Sequence, residues 1–124
     1  MTIKKVRVDW LPGPQVHDYS SAMSYLGLLY DTKKCRRIVD KLKKAPVTPF
    51  KAKDIFRASR LSLLSITNSH VSTDKKKILS KQKLSPILLV RDSRNGKVII
   101  ADGYHRMCAV YYFEEDAVIP CHIV

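Results

Sequence analysis

The sequence predicts an α+β domain, with helices concentrated in the first half of the chain and strands in the second. Apolar residues recur at three- and four-residue spacing between residues 18 and 44, which is the periodicity of amphipathic helices. A continuous apolar run of strand length covers residues 84–90, and a second run follows an Asn-Gly pair typical of hairpin turns. With 124 residues, the chain has the length of a single domain.

The first half is predicted to be an N-terminal strand followed by a helical hairpin. Two prolines and a glycine end the strand, and the Thr32 hydroxyl is expected to cap the second helix. In order, the predicted elements of residues 1–66 are a strand within residues 1–14, a helix from Asp18 to about Tyr30, a helix from Thr32 to Pro46, an edge strand at 47–50 and a short helix or turn at 53–59. The apolar residues 61–64 are expected to dock on the core.

The second half is predicted to be the core of the domain. A turn at residues 67–70 leads to a helix that Ser72 or Thr73 caps, with Ile78 and Leu79 facing inward. In order, the predicted elements of residues 67–124 are a helix at 73–82, strands at 84–90 and 97–101 joined by a turn at 92–96, a helix from Tyr104 to about Phe113 and a strand at 118–124.

A formal net charge of +12 is the strongest bulk signal in the sequence. Such a field attracts polyanions, and it also suits a solvated surface that keeps a protein soluble. Much of the charge lies on the second predicted helix, opposite its apolar stripe. The candidate nucleic-acid-binding residues there are Lys33, Lys34, Arg36 and Arg37, followed by Lys41, Lys43 and Lys44. A solvated helix face is the alternative, because no aromatic residues are interleaved with these cations.

The sequence predicts neither a membrane span nor a metal site. No apolar run approaches the roughly 18 residues needed to cross a membrane, and residues 1–8 lack the apolar core of a signal peptide. We therefore expect a cytoplasmic protein without a membrane partner. Cys35, Cys108 and Cys121 have no paired spacing, which argues against disulfides and zinc and favours small buried residues.

The junction between the last predicted hairpin and the following helix is the candidate functional site. Gly103 permits a sharp bend there and a close approach of a ligand to the backbone. The first amides of the helix attract anions, and Arg106, which follows His105, offers a forked donor for phosphate oxygens. Asp102 is a candidate general base or magnesium ligand, with a plain helix cap as the alternative.

Several parts of residues 67–124 occur in an order that resembles a known superfamily. They are a strand with a proline near its start at 85–91, a second strand at 96–101, the turn at 102–106 followed by small residues, and a Val-Ile-Pro strand at 118–124. In this order the segment resembles the ParB and sulfiredoxin superfamily, which includes free-serine kinases. The resemblance implies a small mixed sheet with packed helices, here preceded by the helical hairpin.

The resemblance also implies a ligand, because relatives bind nucleotide phosphates at this turn. The ligand would be ATP, ADP or CTP, with Mg²⁺ as its companion ion. The residues to which phosphate binding carries over are Gly103, Tyr104, His105 and Arg106. Sulfiredoxin has a cysteine where this chain has Tyr104, and the kinases use an upstream glutamate that residues 68–71 lack. His70 is a candidate catalytic residue in place of that acid, with a structural or merely exposed histidine as the alternative.

Two functions from different classes follow from these patterns. The first is a nucleotide- or phosphate-binding protein, in the form of a phosphotransferase or a nucleotide hydrolase, with Asp102 as base. The second is a basic nucleic-acid-binding accessory module without catalysis, which would use the predicted helix from Thr32 to Pro46. Charge and spacing alone leave both open, and they do not decide whether the protein is an enzyme.

Overall fold

The computed structural model describes residues 6–124, in which five helices pack on a four-stranded mixed sheet. The helices are α1 (Val16–Leu26), α2 (Thr32–Lys44), α3 (Ala52–Ser59), α4 (Ser69–Leu79) and α5 (Tyr104–Phe113). The strands are β1 (Thr48–Lys51), β2 (Ile87–Asp92), β3 (Lys97–Asp102) and β4 (Val118–Ile123). The predicted α+β class and the helical hairpin of α1 and α2 are confirmed.

The strand order is β1-β4-β2-β3, and the central pair β2 and β4 is parallel. The two outer pairs are antiparallel, because β2 and β3 form a hairpin and β1 adds to β4 at the far edge. Pro49 lies on that edge strand, where a missing amide proton is tolerated. Since α5 connects β3 to β4, the end of β3 meets the start of α5 beside the first residues of β2.

Both faces of the sheet are buried, and this explains why β2 and β3 have continuous apolar runs. Alternate residues such as Leu89 and Ile100 join one core cluster, which α3, α4 and α5 cover. Their neighbours Leu88 and Ile99 join a second cluster on the opposite face, which α1 and α2 cover. The helical hairpin and the pair α4 and α5 therefore lie on different sides of the sheet.

The expected N-terminal strand is wrong for the part of it that the structure describes, and residues 1–5 lie outside that part. Residues 6–9 are not a strand, and Trp10 forms only an isolated parallel bridge with Leu84. The Leu84 amide donates to the Asp9 carbonyl at 2.9 Å. The ladder cannot extend through Pro86, because proline has no amide proton. The side chains of Val8 and Trp10 also pack on the core.

Several helix ends differ from the predicted ones, and α4 ends at Leu79 and not at residue 82. Asp31, and not Thr32, caps α2, since its carboxylate accepts a hydrogen bond from the Lys34 amide at 2.8 Å. Glycine has poor helix propensity, and α1 ends before Gly27 and not at Tyr30. The predicted start of α4 at Thr73 is also wrong, because Asn68 accepts from two amides and the helix begins at Ser69.

The inward faces of two apolar segments differ in part from the prediction. Ile78 is buried as expected, but Leu79 is 55% exposed, and Val71, seven residues before Ile78, shares its face. In the segment 61–64 only Leu64 packs on the core, while Leu61 and Leu63 remain exposed. Within residues 6–124, no helix is long and apolar enough to cross a membrane.

Candidate functional site

Gly103 forms the junction between β3 and α5, where both the backbone conformation and the close packing favour glycine. Its φ of +108° is a conformation that L residues rarely adopt. A Cβ atom at this position would lie 2.8 Å from Ile87 Cγ1 and 3.0 Å from Arg106 Nη2. The glycine therefore serves both the bend and the close packing of β2 against the start of α5.

Helix α5 begins without a side-chain cap, because its N-cap residue is Gly103. The Asp102 carboxylate accepts a hydrogen bond from the Arg106 guanidinium and is not the helix cap. The first amides of the helix, those of Tyr104, His105 and Arg106, therefore donate no hydrogen bond to a side chain of the N-cap residue. With the helix dipole behind them, they form a positive end of the kind that attracts anions.

The Arg106 side chain connects three elements beneath this helix terminus. Its Nη2 atom donates to Asp102 Oδ2 at 3.0 Å and to the Pro86 carbonyl at 3.2 Å. Its Nη1 atom lies 3.9 Å from Oδ1 of Asp18, a residue of α1 that is 2% exposed. Two carboxylates therefore flank the guanidinium, and Nη2 donates both of its hydrogen bonds within the protein, whereas the buried Nε has no hydrogen-bond partner.

Asp102 has the chemistry of a proton acceptor. Burial raises the pKa of its carboxyl, the Arg106 guanidinium opposes that rise, and the nearby Asp18 carboxyl adds to it. A carboxylate with a raised pKa accepts a proton more readily than an exposed aspartate. The structure thus places the predicted base beside the start of α5, bonded to Arg106.

The two candidate histidines lie against each other at the mouth of the site. The ring centroids of His70, in the first turn of α4, and His105 are 4.8 Å apart. Burial lowers the pKa of His105, and the neighbouring His70 lowers it further. The ring centroids of Tyr104 and His105 are 5.5 Å apart. The Tyr104 hydroxyl donates a hydrogen bond to the Ser62 carbonyl. Tyr104 is therefore held against the segment that precedes α4.

A cleft of about 200 Å³ lies between α4 and the start of α5, and we call it the terminus cleft. It is lined by the predicted residues His70, Asp102, Gly103, His105 and Arg106, and by Thr73, Asp74 and Lys77 of α4. Burial raises the pKa of Asp74, and the positive charges of Lys77 and Arg106 oppose that rise. Every predicted site residue of the junction except Tyr104 therefore lines one cleft.

Asp74, Lys77 and Asp18 belong to the site but were not predicted as site residues from the sequence. The spacing of His70, Asp74 and Lys77 is i, i+4, i+7, which places them on one face of a helix. That signal was hidden because the helix was expected to begin after His70. Asp18 gave no such signal, since it reaches Arg106 only through the packing of α1 on β3.

The predicted nucleic-acid-binding residues lie elsewhere. Lys33, Lys34, Arg36 and Arg37 are all exposed on α2, which packs on the sheet face opposite to α4 and α5. The Lys34 ammonium lies 4.1 Å from the centroid of the Tyr30 ring, a cation-π contact. The structure does not bring these cations to the terminus cleft.

In the described part of the chain, no three histidine, cysteine or acidic side chains are grouped to hold a metal ion. Cys35, Cys108 and Cys121 are buried and free, as predicted.

Comparisons with models of protein families, with curated proteins and with solved structures find no match to this chain. The resemblance to the ParB and sulfiredoxin superfamily stays a prediction.

Proposed function

We propose that this protein binds a phosphate-bearing small molecule, such as a nucleotide, in the terminus cleft. One observation carries the proposal: the uncapped start of α5 opens onto a cleft that also contains Lys77, His70 and His105. Backbone amides at a helix terminus and nearby cationic side chains are the groups that hold phosphates in proteins. The resemblance of residues 67–124 to ParB and sulfiredoxin proteins supports the nucleotide class.

The formal charges of the side chains that line the cleft balance, because Arg106 and Lys77 oppose Asp102 and Asp74. Asp18 lies behind Arg106, so the triad of Arg106, Asp102 and Asp18 contributes no net positive charge. The helix terminus and the two imidazoles then decide the preference, and all of them interact favourably with an oxyanion.

The same cleft contains the groups that phosphoryl transfer or hydrolysis requires. Asp102 would act as the base that accepts a proton from an attacking hydroxyl or water, since burial raises its pKa. His70 is exposed at the rim, where its imidazole would form a hydrogen bond with the phosphate of a ligand. Arg106 would act mainly as a positioning residue, because it orients the Asp102 carboxylate.

Phosphate binding by wild type and by a cleft variant tests the proposal. Inorganic phosphate, ADP, ATP and CTP, with and without Mg²⁺, should shift the backbone amide resonances of Tyr104, His105 and Arg106 in heteronuclear NMR titrations. Lys77→Ala should weaken binding at least about tenfold, since a charge-assisted hydrogen bond contributes about 1.5–3 kcal/mol. Lys76→Ala is the matched control, because Lys76 is exposed on the same helix and does not line the cleft.

The proposal fails if millimolar phosphate and nucleotides leave these amides unshifted. It also fails if both lysine variants bind as the wild type does. Turnover of a bound nucleoside triphosphate, measured as released phosphate, separates an enzyme from a binding protein. Asp102→Asn should then abolish turnover while some binding remains.

Nucleic-acid binding by α2 is a second candidate function, which one observation favours. Seven basic side chains are exposed along this helix, and Asp40 is the single acidic residue in it. The rings of Tyr19 and Tyr30, which two of these cations contact, are partly buried, so we propose contact with the phosphate backbone and not with bases. Binding to duplex DNA that weakens steeply with salt is the result expected of this surface.

A further inference from the structure

A second cleft of about 310 Å³ adjoins the terminus cleft, and we call it the amide cleft. The two clefts share Asp74, Lys77 and Arg106 as lining residues. A ligand with its phosphate at the start of α5 therefore has space to extend past Lys77 into a second compartment. The amide cleft lies next to the proposed phosphate position. Its size and lining residues therefore determine which organic group the bound phosphate can carry.

Hydrogen-bonding side chains dominate the amide cleft, in which Leu11 and Leu84 supply the apolar lining. Two carboxamides, Gln15 and Gln82, lie at its rim, and the buried Ser85 lies at its base. The Ser85 hydroxyl donates to Gln15 Oε1 at 3.1 Å, so the Gln15 amide nitrogen is oriented as a donor.

Two carboxylates, which accept hydrogen bonds, also line the amide cleft. The Gln15 backbone amide donates to Asp18 Oδ2 at 2.7 Å, which fixes the Asp18 carboxylate between α1 and Arg106. Asp74 supplies a second carboxyl from α4. Carboxylate, carboxamide and hydroxyl groups in one cleft match the donors and acceptors of a ligand with several hydroxyl groups.

A nucleobase would find few partners in these clefts. Bases are held by stacking on aromatic rings or by apolar surfaces, and such stacking contributes about 1–3 kcal/mol per base. Histidines provide the ring systems that line the two clefts: His17 in the amide cleft, and His70 and His105 in the terminus cleft. His70 and His105 already lie against each other, and Tyr104 is bound to the segment before α4.

We infer that the ligand is a phosphorylated sugar or polyol, with its phosphate in the terminus cleft and its hydroxyl groups in the amide cleft. This inference rests on the proposed function and narrows it to a substrate class. A nucleotide would bind through its phosphate and ribose, and its base would add little affinity.

Affinities for inorganic phosphate, ribose 5-phosphate and AMP, measured by calorimetry at one pH, test the inference. Ribose 5-phosphate should bind about tenfold more tightly than inorganic phosphate, since two or more net hydrogen bonds contribute about 0.5–1.5 kcal/mol each. AMP should bind within about threefold of ribose 5-phosphate, because histidines are the only rings that residues 6–124 contribute to the lining of the two clefts, and two of the three already lie against each other. Ribose itself should bind weakly, since it lacks the phosphate.

Gln82→Ala sharpens the test, because Gln82 is exposed at the rim and its loss should not affect folding. This variant should bind ribose 5-phosphate about threefold or more weakly and inorganic phosphate as tightly as the wild type. Lys76→Ala, outside both clefts, should change neither affinity.

The outcomes separate the two levels of the argument. If inorganic phosphate and all phosphate esters fail to bind, the proposed function is overturned together with this inference. If phosphate binds but ribose 5-phosphate binds no better, the inference alone is overturned. AMP binding more than about tenfold tighter than ribose 5-phosphate would also overturn it, in favour of base recognition.

Discussion

The exposed face of α2 and the terminus cleft differ in how their charges are arranged. On α2, seven cations point into solvent from a single helix and are adjacent only because of helical spacing. In the cleft, Asp74 and Lys77 from α4 meet Asp102 and Arg106 from either side of the junction, and Asp18 from α1 lies 3.9 Å from Arg106. Many exposed charges on one helix indicate only a strong electrostatic field. Partly buried charged groups that meet from separate elements indicate a functional site.

The two regions also differ in what holds their charges in place. Exposed lysines are solvated and screened by salt, so their replacement changes stability little. Asp18 and Arg106 are largely withdrawn from water, and each depends on its partners to offset that desolvation. Among residues 6–124, Arg106 Nε is one of two buried side-chain nitrogen or oxygen atoms without a hydrogen-bond partner. Changes in the cleft should therefore alter stability, and changes on α2 should not.

Gly103→Ala should produce the largest effect and tests whether the junction is under backbone constraint. Strain at a positive φ and crowding against Ile87 each cost roughly 1–3 kcal/mol, so we expect a total loss of about 2–6 kcal/mol. Urea denaturation of purified protein, followed by circular dichroism, measures the free energy of unfolding.

Gly13→Ala is the matched control for this substitution. A Cβ at Gly13 meets nothing within 4 Å, and its φ is not positive. This variant should be neutral or more stable by up to about 1 kcal/mol, through a smaller entropy of the unfolded chain. Equal stabilities of the two alanine variants would contradict the geometry assigned to the junction.

Local patterns in the sequence predicted the elements of this junction, but not the partners that complete the site. The bounds of α5 and the bend at Gly103 follow from a strand-length apolar run, a glycine and helical periodicity. Lys77 was missed because Asn68 caps α4 earlier than the serine and threonine that were expected to do so. Asp18 could not be found, since only tertiary packing brings an N-terminal helix to the end of β3.

Charge reversal on α2 should have an intermediate effect, confined to nucleic-acid binding. In the double variant Arg36→Glu and Arg37→Glu, affinity for duplex DNA at low salt should fall about tenfold or more. The slope of log affinity against log salt should become shallower by about 0.9 for each DNA phosphate that the variant no longer neutralises. Fluorescence anisotropy with a labelled duplex provides both quantities.

The control for this pair is the same reversal at Arg94 and Lys97, which are exposed at the β2–β3 hairpin. It changes net charge equally but leaves α2 intact. If both double variants lose the same affinity, the protein binds DNA through its overall field, and α2 is not a defined surface. Phosphate binding in the terminus cleft should be unchanged in either variant.

The pH dependence of anion binding should be the smallest effect, and it distinguishes the cleft from α2. Burial and the neighbouring His70 hold the pKa of His105 below its usual range, so the free protein carries a neutral imidazole at pH 7. A bound dianion favours the protonated ring and raises this pKa, so binding takes up a proton. Affinity for sulfate, which does not titrate, should therefore increase as pH falls from about 8 to 6, by at most about tenfold per pH unit.

Without ligand, the same lowered pKa has the opposite consequence for folding. As pH falls through about 6.5, the unfolded chain binds a proton at His105 more readily than the folded protein does. The free energy of unfolding therefore decreases as pH falls through that range. His105→Gln should reduce both pH dependences, whereas His17→Gln, at an exposed position outside the terminus cleft, should leave the sulfate profile unchanged. Because lysines and arginines do not titrate between pH 6 and 8, sulfate binding on α2 would show no such profile.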